Sequence, residues 1–121
     1  MILMGLQALH TLLMRSSVLL GMMLMVPVAF ASPEDGRALE IAKRGACMGC
    51  HASNKKIVGP SFHSVAEKYK GNPKAIPLLA AKVRTGGSGS WGVIPMPANT
   101  SLSDPDLALV IAWVLQGAPD P

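Results

Sequence analysis

The stretch Cys47-Met48-Gly49-Cys50-His51 decides how the rest of the chain is interpreted. A Cys-x-x-Cys-His run is typical of c-type haem attachment, in which each thiol bonds one vinyl-derived carbon of the porphyrin. In the first turn of a helix the two thiols would lie about one turn apart, and His51 would project its imidazole beneath the iron. Cys47 and Cys50 are the only cysteines in the sequence, so no disulfide framework competes for them. The motif predicts one haem c, covalently attached through Cys47 and Cys50, with His51 as an iron ligand.

Two other chemistries compete for these residues. A dithiol/disulfide redox pair lies at a strand-to-helix junction in thioredoxin-like proteins, and no credible strand precedes Cys47. A zinc site would combine Cys47, Cys50 and two histidines, with His63 as the fourth ligand. Such a site would require the adjacent residues Cys50 and His51 to bind one ion, and it would leave Met96 unexplained. Haem attachment is therefore the favoured interpretation.

Residues 1–31 are predicted to form a cleaved secretory signal peptide that is not part of the fold. Arg15 precedes the apolar run 18–30, and residues 29–31 read Ala-Phe-Ala, a small-x-small cleavage site. The apolar run is too short to span a bilayer, and an uncleaved N-terminal membrane anchor is the open alternative. Export agrees with the motif, because bacteria attach haem c covalently outside the cytoplasm.

The predicted mature chain, residues 32–121, is interpreted as one small monohaem domain. Removing Arg15 from the 11 basic residues leaves 10 against 7 acidic ones, a formal charge of +3. Two haem propionates would bring this to about +1, so the net charge is weak evidence about partners, and no nucleic-acid partner is predicted. Because an apolar core is marginal in a chain of about 90 residues, we expect haem binding to be coupled to folding.

Capping residues and apolar periodicity predict an all-α fold of four to five short helices wrapped around one covalently bound haem c. Ser32 as N-cap and Pro33 at the first position begin one helix. Ser61 caps a short helix, and Ser103 caps the last one, where Asp106 completes an acidic variant of the capping box. The predicted inward positions are Leu39, Ala42 and Ala46, then Phe62, Val65, Ala66 and Tyr69, then Leu79, Ala80 and Val83, and finally Leu107, Val110, Ile111, Val114 and Leu115.

The remaining helix is predicted from near Ile76 to Arg84, because Pro77 is tolerated only in a first turn. A glycine-rich stretch follows it and leads to Pro95-Met96-Pro97. Two prolines around one methionine exclude a helix or a central strand and hold the backbone extended.

Met96 is the favoured second axial ligand by elimination. Six of the eight methionines fall within the predicted signal peptide, and Met48 is tethered between the attachment cysteines. The Pro-Met-Pro setting also limits the entropy lost in placing the sulfur. Two alternatives stay open: Met96 as a core filler, and ligation by His63, which would lower the reduction potential. We interpret His63 as a surface residue.

Four segments carry a family resemblance. The sequences CMGCH, IVGPSF and WGVIPMPAN and a last helix ending in AWVLQ resemble the small bacterial class I cytochromes c of the cytochrome c-551 family. The resemblance covers nearly all of residues 34–116. It implies thioether sites at Cys47 and Cys50, His51 as proximal ligand and Met96 as distal ligand.

The same resemblance implies roles for residues around the haem. The Pro60 carbonyl would accept the Nδ1 hydrogen of the proximal histidine and fix its tautomer. Trp91 would donate its indole N–H to a haem propionate, and the Asn99 side chain would form a hydrogen bond near the methionine sulfur. Lys82 occupies the position where the family can have an arginine beside the propionates, and lysine lacks the bidentate fork of arginine. Trp113 is predicted to be a core residue.

An iron with both axial positions filled by protein predicts an electron carrier and not an enzyme. The predicted export signal indicates the periplasm, where we expect a monomer without stable membrane insertion. The resemblance implies a bc-type complex as donor and a nitrite reductase or haem–copper oxidase as acceptor. Two alternatives stay open: a c-type haem protein with an open or bis-histidine iron acting as peroxidase or gas sensor, and a subunit of a larger membrane complex. Partners are expected at an apolar haem edge, framed by Met48, Val58, Ile94, Pro95 and Pro97 with Lys55, Lys56 and Lys82 at its rim.

Overall fold

The computed structural model describes residues 32–120, which form four helices and a short 3-10 turn. Helix α1 spans Pro33–Arg44, the 3-10 turn spans Cys47–Gly49, α2 spans Phe62–Tyr69, α3 spans Ala75–Thr85 and α4 spans Asp104–Leu115. No strand forms within this part of the chain. The all-α prediction is confirmed, whereas the predicted signal peptide of residues 1–31 lies outside the described residues.

The three predicted serine N-caps are present. Ser32 Oγ accepts a hydrogen bond from the Asp35 amide, and Asp35 accepts one from the Ser32 amide, each at 3.2 Å. Ser61 and Ser103 accept amide hydrogen bonds at 3.0 and 3.3 Å. Each such cap stabilises its helix by about 1 kcal/mol. Helix α3 begins at Ala75, one residue earlier than predicted, and has no side-chain cap.

Asp106 departs from its predicted role, because only half of the capping box at the start of α4 forms. Its amide donates to Ser103 Oγ, but its carboxylate pairs with two arginines of α1. The distances are 3.6 Å to Arg37 and 3.1 Å to Arg44. Packing of α1 against α4 brings these cations within reach, so a contact between helices replaces the predicted local bond.

Helix α4 is central to the core, since it packs against each of the other three helices. Trp113 is 2% exposed, and its indole N–H donates to the Pro119 carbonyl at 3.0 Å, in agreement with its predicted core position. None of the helices between residues 32 and 120 is long and apolar enough to cross a membrane. The buried core cluster consists of Ala38, Ile41, Ala42, Phe62, Val65, Leu102, Leu107, Val110, Ile111, Trp113, Val114 and Ala118.

The prediction that Leu39, Ala42 and Ala46 form the buried face of α1 was partly wrong. Ala42 is buried, but Ala46 is exposed with a φ of 60°. Because α1 ends at Arg44, the helical spacing does not extend to Ala46. The buried face instead continues to Gly45, where an added Cβ would lie 3.1 Å from a methyl group of Leu102. A small residue at position 45 therefore lets Leu102 pack closely against the end of α1.

Candidate functional site

The Cys-x-x-Cys-His motif forms a single tight turn shortly after the end of α1. The left-handed backbone of Ala46 separates the two elements, a conformation that costs a non-glycine residue about 1–2 kcal/mol. The Cys50 and His51 amides both donate to the Cys47 carbonyl, at 3.2 and 3.0 Å. As a result both thiols and the imidazole line the same cavity.

The Cys47 thiol is the more constrained of the two. It lies against the end of α1, where its S–H donates to the Gly45 carbonyl oxygen at 3.8 Å. Burial raises the pKa of the Cys47 thiol above its ordinary value. The neutral thiol is thus favoured at neutral pH, which limits thiolate reactions before haem attachment.

The His51 imidazole is held in one tautomer. Its Nδ1 lies 2.7 Å from the Pro60 carbonyl oxygen. A carbonyl can only accept, so Nδ1 carries the proton and Nε2 keeps its lone pair free for a metal. The ring also stacks on Phe62, with centroids 5.3 Å apart and planes at 16°, and Phe62 meets Trp113 edge-on at 5.5 Å. The imidazole is thereby packed against the centre of the core.

Gly59 packs directly against the His51 ring. A Cβ at position 59 would lie 2.4 Å from His51 Cε1 and 2.9 Å from Nδ1. The Gly59 amide also donates to the Cys50 carbonyl at 2.9 Å, which fixes the backbone there. The family resemblance implied the contact with Pro60, whereas nothing in the sequence analysis indicated a role for Gly59. The structure shows that both residues hold the imidazole, one by close packing and one by a hydrogen bond.

Replacing Gly59 by alanine is expected to displace His51 from its Pro60 hydrogen bond. Overpacking of this kind costs about 1–3 kcal/mol, and each kcal/mol lowers Tm by roughly 4–8 °C in a domain of this size. Thermal unfolding of the holoprotein, followed by circular dichroism, measures the effect. Gly49→Ala is the matched control, because a Cβ at Gly49 meets nothing within 4 Å. Equal Tm values for the two variants would contradict the proposed contact.

Met96 is held by the backbone of the segment that follows α3. The Gly87 and Met96 amides donate to each other's carbonyls at 2.9 and 3.0 Å, forming an isolated antiparallel bridge. At Gly86, where φ is 67°, an added Cβ would lie 2.4 Å from the Met96 carbonyl oxygen. Only glycine allows this approach. The half-buried Met96 side chain lines the same cavity as His51.

The cavity has a volume of about 480 Å³, within the range of about 300–1,000 Å³ typical of cofactor sites. Side chains from all the helices except α1 contribute to its wall, and most of them are apolar. A haem c fits this wall, since a flat apolar ring would contact the hydrophobic side chains while two thiols and an unprotonated imidazole nitrogen face it. The core side chains on the wall are Phe62, Val65, Leu102, Leu107, Val110, Ile111 and Val114.

The other residues implied by the resemblance are placed in two environments. Trp91, which is 41% exposed, and Lys82 both line the cavity. Asn99 is not on the wall: its side-chain Nδ2 donates to the Gly45 carbonyl at 2.9 Å, and its Oδ1 accepts from the Ser101 backbone amide at 3.1 Å. Asn99 thus joins the chain after Met96 to the end of α1. Its hydrogen bond near the Met96 sulfur stays a prediction.

His63 lies apart from His51. It is exposed and lines a separate surface groove of about 520 Å³ between the ends of α2 and α4. The neighbouring Phe62 contacts His51, so α2 directs successive side chains to different sides. Among residues 32–120, no group of three His, Cys, Asp or Glu side chains is arranged to hold a metal ion. The cavity brings together His51 and Met96, but it does not bring His63 to either.

An all-helical domain that presents a Cys-x-x-Cys-His turn to an apolar cavity of this size defines a c-type haem protein. Comparison with known proteins identifies the family. The sequence model of cytochrome c matches residues 34–118. Cytochrome c-551 of Azotobacter vinelandii is 46% identical over 76 residues, which cover 63% of this chain and 92% of that protein. Cytochrome c-552 of Nitrosomonas europaea is 41% identical over 76 residues, covering 63% and 74% of the two chains.

The solved structures agree with the sequence comparison. The crystal structure of Nitrosomonas europaea cytochrome c552 matches with a TM-score of 0.63 and 39% identity, covering 65% of this chain and 98% of that one. This chain therefore belongs to the cytochrome c family as a small class I member. It binds one haem c covalently through Cys47 and Cys50, and its homologues support a role as an electron carrier. The predicted family and cofactor are confirmed.

Proposed function

We propose that the chain is a monomeric periplasmic electron carrier whose iron is ligated by His51 and Met96. The observation that carries the proposal is that both side chains line one apolar cavity, each on a separately fixed backbone. His51 is fixed through Gly59 and Pro60, and Met96 through its bridge to Gly87. When bound, haem c supplies an iron that cycles between Fe(II) and Fe(III).

The residues of the chain determine what that iron can do. If His51 and Met96 both held the iron, no position would remain open for oxygen, peroxide or a substrate. The neutral, soft thioether of Met96 favours Fe(II) and raises the reduction potential. The hydrogen bond to the Pro60 carbonyl would hold the same His51 tautomer in both oxidation states. Because the same ligands serve both oxidation states, little reorganisation opposes electron transfer, and no catalysis is proposed.

We further propose that partners dock at an apolar edge of the cavity. Val58, Ile94, Pro95 and Pro97 line the cavity and are exposed, with Val58 at 44% and Ile94 at 60%. Met48 packs against the core and is not on the cavity wall. A small apolar face suits a redox encounter that must release quickly. The proposed donor is a quinol-oxidising bc-type complex, and the proposed acceptor is a nitrite reductase or a haem–copper oxidase.

Addition of cyanide or carbon monoxide tests the carrier against the peroxidase or gas-sensor alternative. In the proposed protein, cyanide binds the oxidised form and carbon monoxide binds the reduced form slowly or not at all at millimolar concentration. The measurement is the change of the visible spectrum over seconds to minutes after mixing. Immediate, stoichiometric binding would indicate an open iron and would overturn the carrier proposal.

Charge at the cavity rim is expected to affect the rate of electron exchange. Lys55 and Lys56 are exposed, and Lys56 lines the cavity. Replacing both by glutamine is expected to slow reaction with the anion hexacyanoferrate(III) by about two- to tenfold at low salt. The difference should vanish in about 0.5 M salt, because screening removes the attraction. Stopped-flow mixing measures the rates.

A second double variant, in which two lysines away from the cavity are replaced, changes the net charge by the same amount and serves as the control. Lys43 and Lys70 pair with Glu40 and Glu67 at 2.7 and 3.6 Å, and neither lysine lines the cavity. The Lys43→Gln, Lys70→Gln double variant is expected to retain most of the wild-type rate. Equal slowing in both double variants would show that only net charge matters and would exclude a specific role for the rim.

A further inference from the structure

We propose that Lys68 is a positioning residue that holds Trp91 at the cavity wall. Lys68 Nζ donates a hydrogen bond to the Ser90 carbonyl oxygen at 2.6 Å. The same ammonium lies 4.4 Å from the centroid of the Trp91 ring, within the range of a cation–π contact. Trp91 lines the cavity and Lys68 does not. Lys68 therefore acts on the cavity through its neighbours and not by direct contact.

The segment 88–95, which carries Trp91, has few other constraints. Gly89 and Gly92 have φ values of 97° and 115°, and the Gly89 amide donates to the Gly92 carbonyl at 2.8 Å within the segment itself. Among the hydrogen bonds of residues 32–120, that from Lys68 to Ser90 is the one joining this segment to another part of the chain. Val93, at 91% exposed, has almost no protein around it. One side chain thus holds the tip of the loop.

Helix α2 gives Lys68 a rigid base. Val65, one turn before Lys68, is buried in the core and lines the cavity, and Tyr69 lies on the wall next to it. The stem of Lys68 consequently starts from a fixed point, and its ammonium meets both the carbonyl of Ser90 and the ring of Trp91. Two contacts to adjacent residues restrict the position and the tilt of the indole. The expected consequence is an ordered loop and a positive charge kept beside the haem.

The test compares Lys68→Met with Lys68→Arg in the holoprotein. Methionine keeps most of the apolar stem but removes the charge and the donor, whereas arginine retains both. In Lys68→Met, hydrogen exchange at the Gly89 amide, which donates to the Gly92 carbonyl, is expected to accelerate about two- to fivefold, equivalent to the about 0.5–1 kcal/mol of an exposed cation–π contact. Lys68→Arg should restore slow exchange. The indole N–H of Trp113, buried in the core, should remain unchanged and serves as an internal reference.

A matched charge control is provided by Lys70→Met, because Lys70 is an exposed lysine of the same region that pairs only with Glu67. The reduction potential, measured in parallel, is expected to fall more in Lys68→Met than in Lys70→Met, and arginine should restore it. Unchanged exchange at the Gly89 amide, or equal changes in the two methionine variants, would overturn the positioning role. The effect on the potential rests on the proposed function, but the exchange measurement does not. A failure of Met96 ligation would therefore be seen separately, in the visible spectrum.

Discussion

Replacing Met96 by alanine is expected to abolish the weak sulfur-to-iron charge-transfer band near the red end of the oxidised spectrum. Loss of the thioether also removes the proposed ligand, which would favour Fe(II), so the reduction potential should fall by on the order of 0.1 V, within the about 0.8 V range that haem axial ligands cover. Cyanide should then bind at once, because the variant would lack the second of the two residues proposed to hold the iron. Visible spectroscopy and a redox titration of the purified holoprotein measure all three changes.

The fold should survive this substitution, so the spectral change can be attributed to the side chain. The backbone of Met96 is held by its bridge to Gly87, and the backbone amide of Asn99 donates to the Val83 carbonyl at 2.8 Å. Neither contact uses the thioether. Met48→Ala is the control, since Met48 is the other methionine of residues 32–120 and does not line the cavity. A band that persists without Met96, or that disappears without Met48, would contradict the assigned ligand.

The helices could be predicted from the sequence because their determinants are local. Ser32, Ser61 and Ser103 each accept a hydrogen bond from an amide three residues ahead, so the caps depend on short stretches of chain. The attachment motif is equally local, since its spacing alone matches the chemistry of the porphyrin. The predictions for Pro60 and Trp91 depended on the family resemblance, because nothing in the residues themselves indicates which atom or group they face.

Features that depend on contacts between distant segments could not be predicted in this way. The sequence suggested that Ala46 continues an apolar stripe, but the turn into the attachment motif gives it a left-handed backbone. Gly59 is an ordinary loop glycine by sequence, yet it lies against an imidazole eight residues earlier. Lys68 has the exposure of an ordinary surface lysine, and only the folded loop brings Ser90 to its ammonium. The roles of these three residues could be recognised only in the tertiary structure.

The chain with both attachment cysteines replaced by alanine is expected to show no cooperative thermal transition in the absence of haem. The reason is the composition of the core. Of the twelve buried residues in the core cluster of residues 32–120, seven also form the cavity wall. The burial of these side chains is therefore coupled to the ligand that covers them. Without haem, the free energy of unfolding of a domain of this size is expected to be small, because small domains bury the smallest fraction of their surface on folding.

Circular dichroism of Cys47→Ala, Cys50→Ala as a function of temperature measures this expectation, with the wild-type holoprotein as reference. Wild-type chain produced without haem, under reducing conditions, is the necessary control. It separates the absence of haem from the substitutions, whose own cost is small because neither thiol is fully buried. If both haem-free chains melt cooperatively with native helix content, the protein core is sufficient to stabilise the fold without haem, and the expectation is wrong. If both lack a transition, the seven wall residues need the porphyrin to complete the core. The domain then folds only together with haem binding.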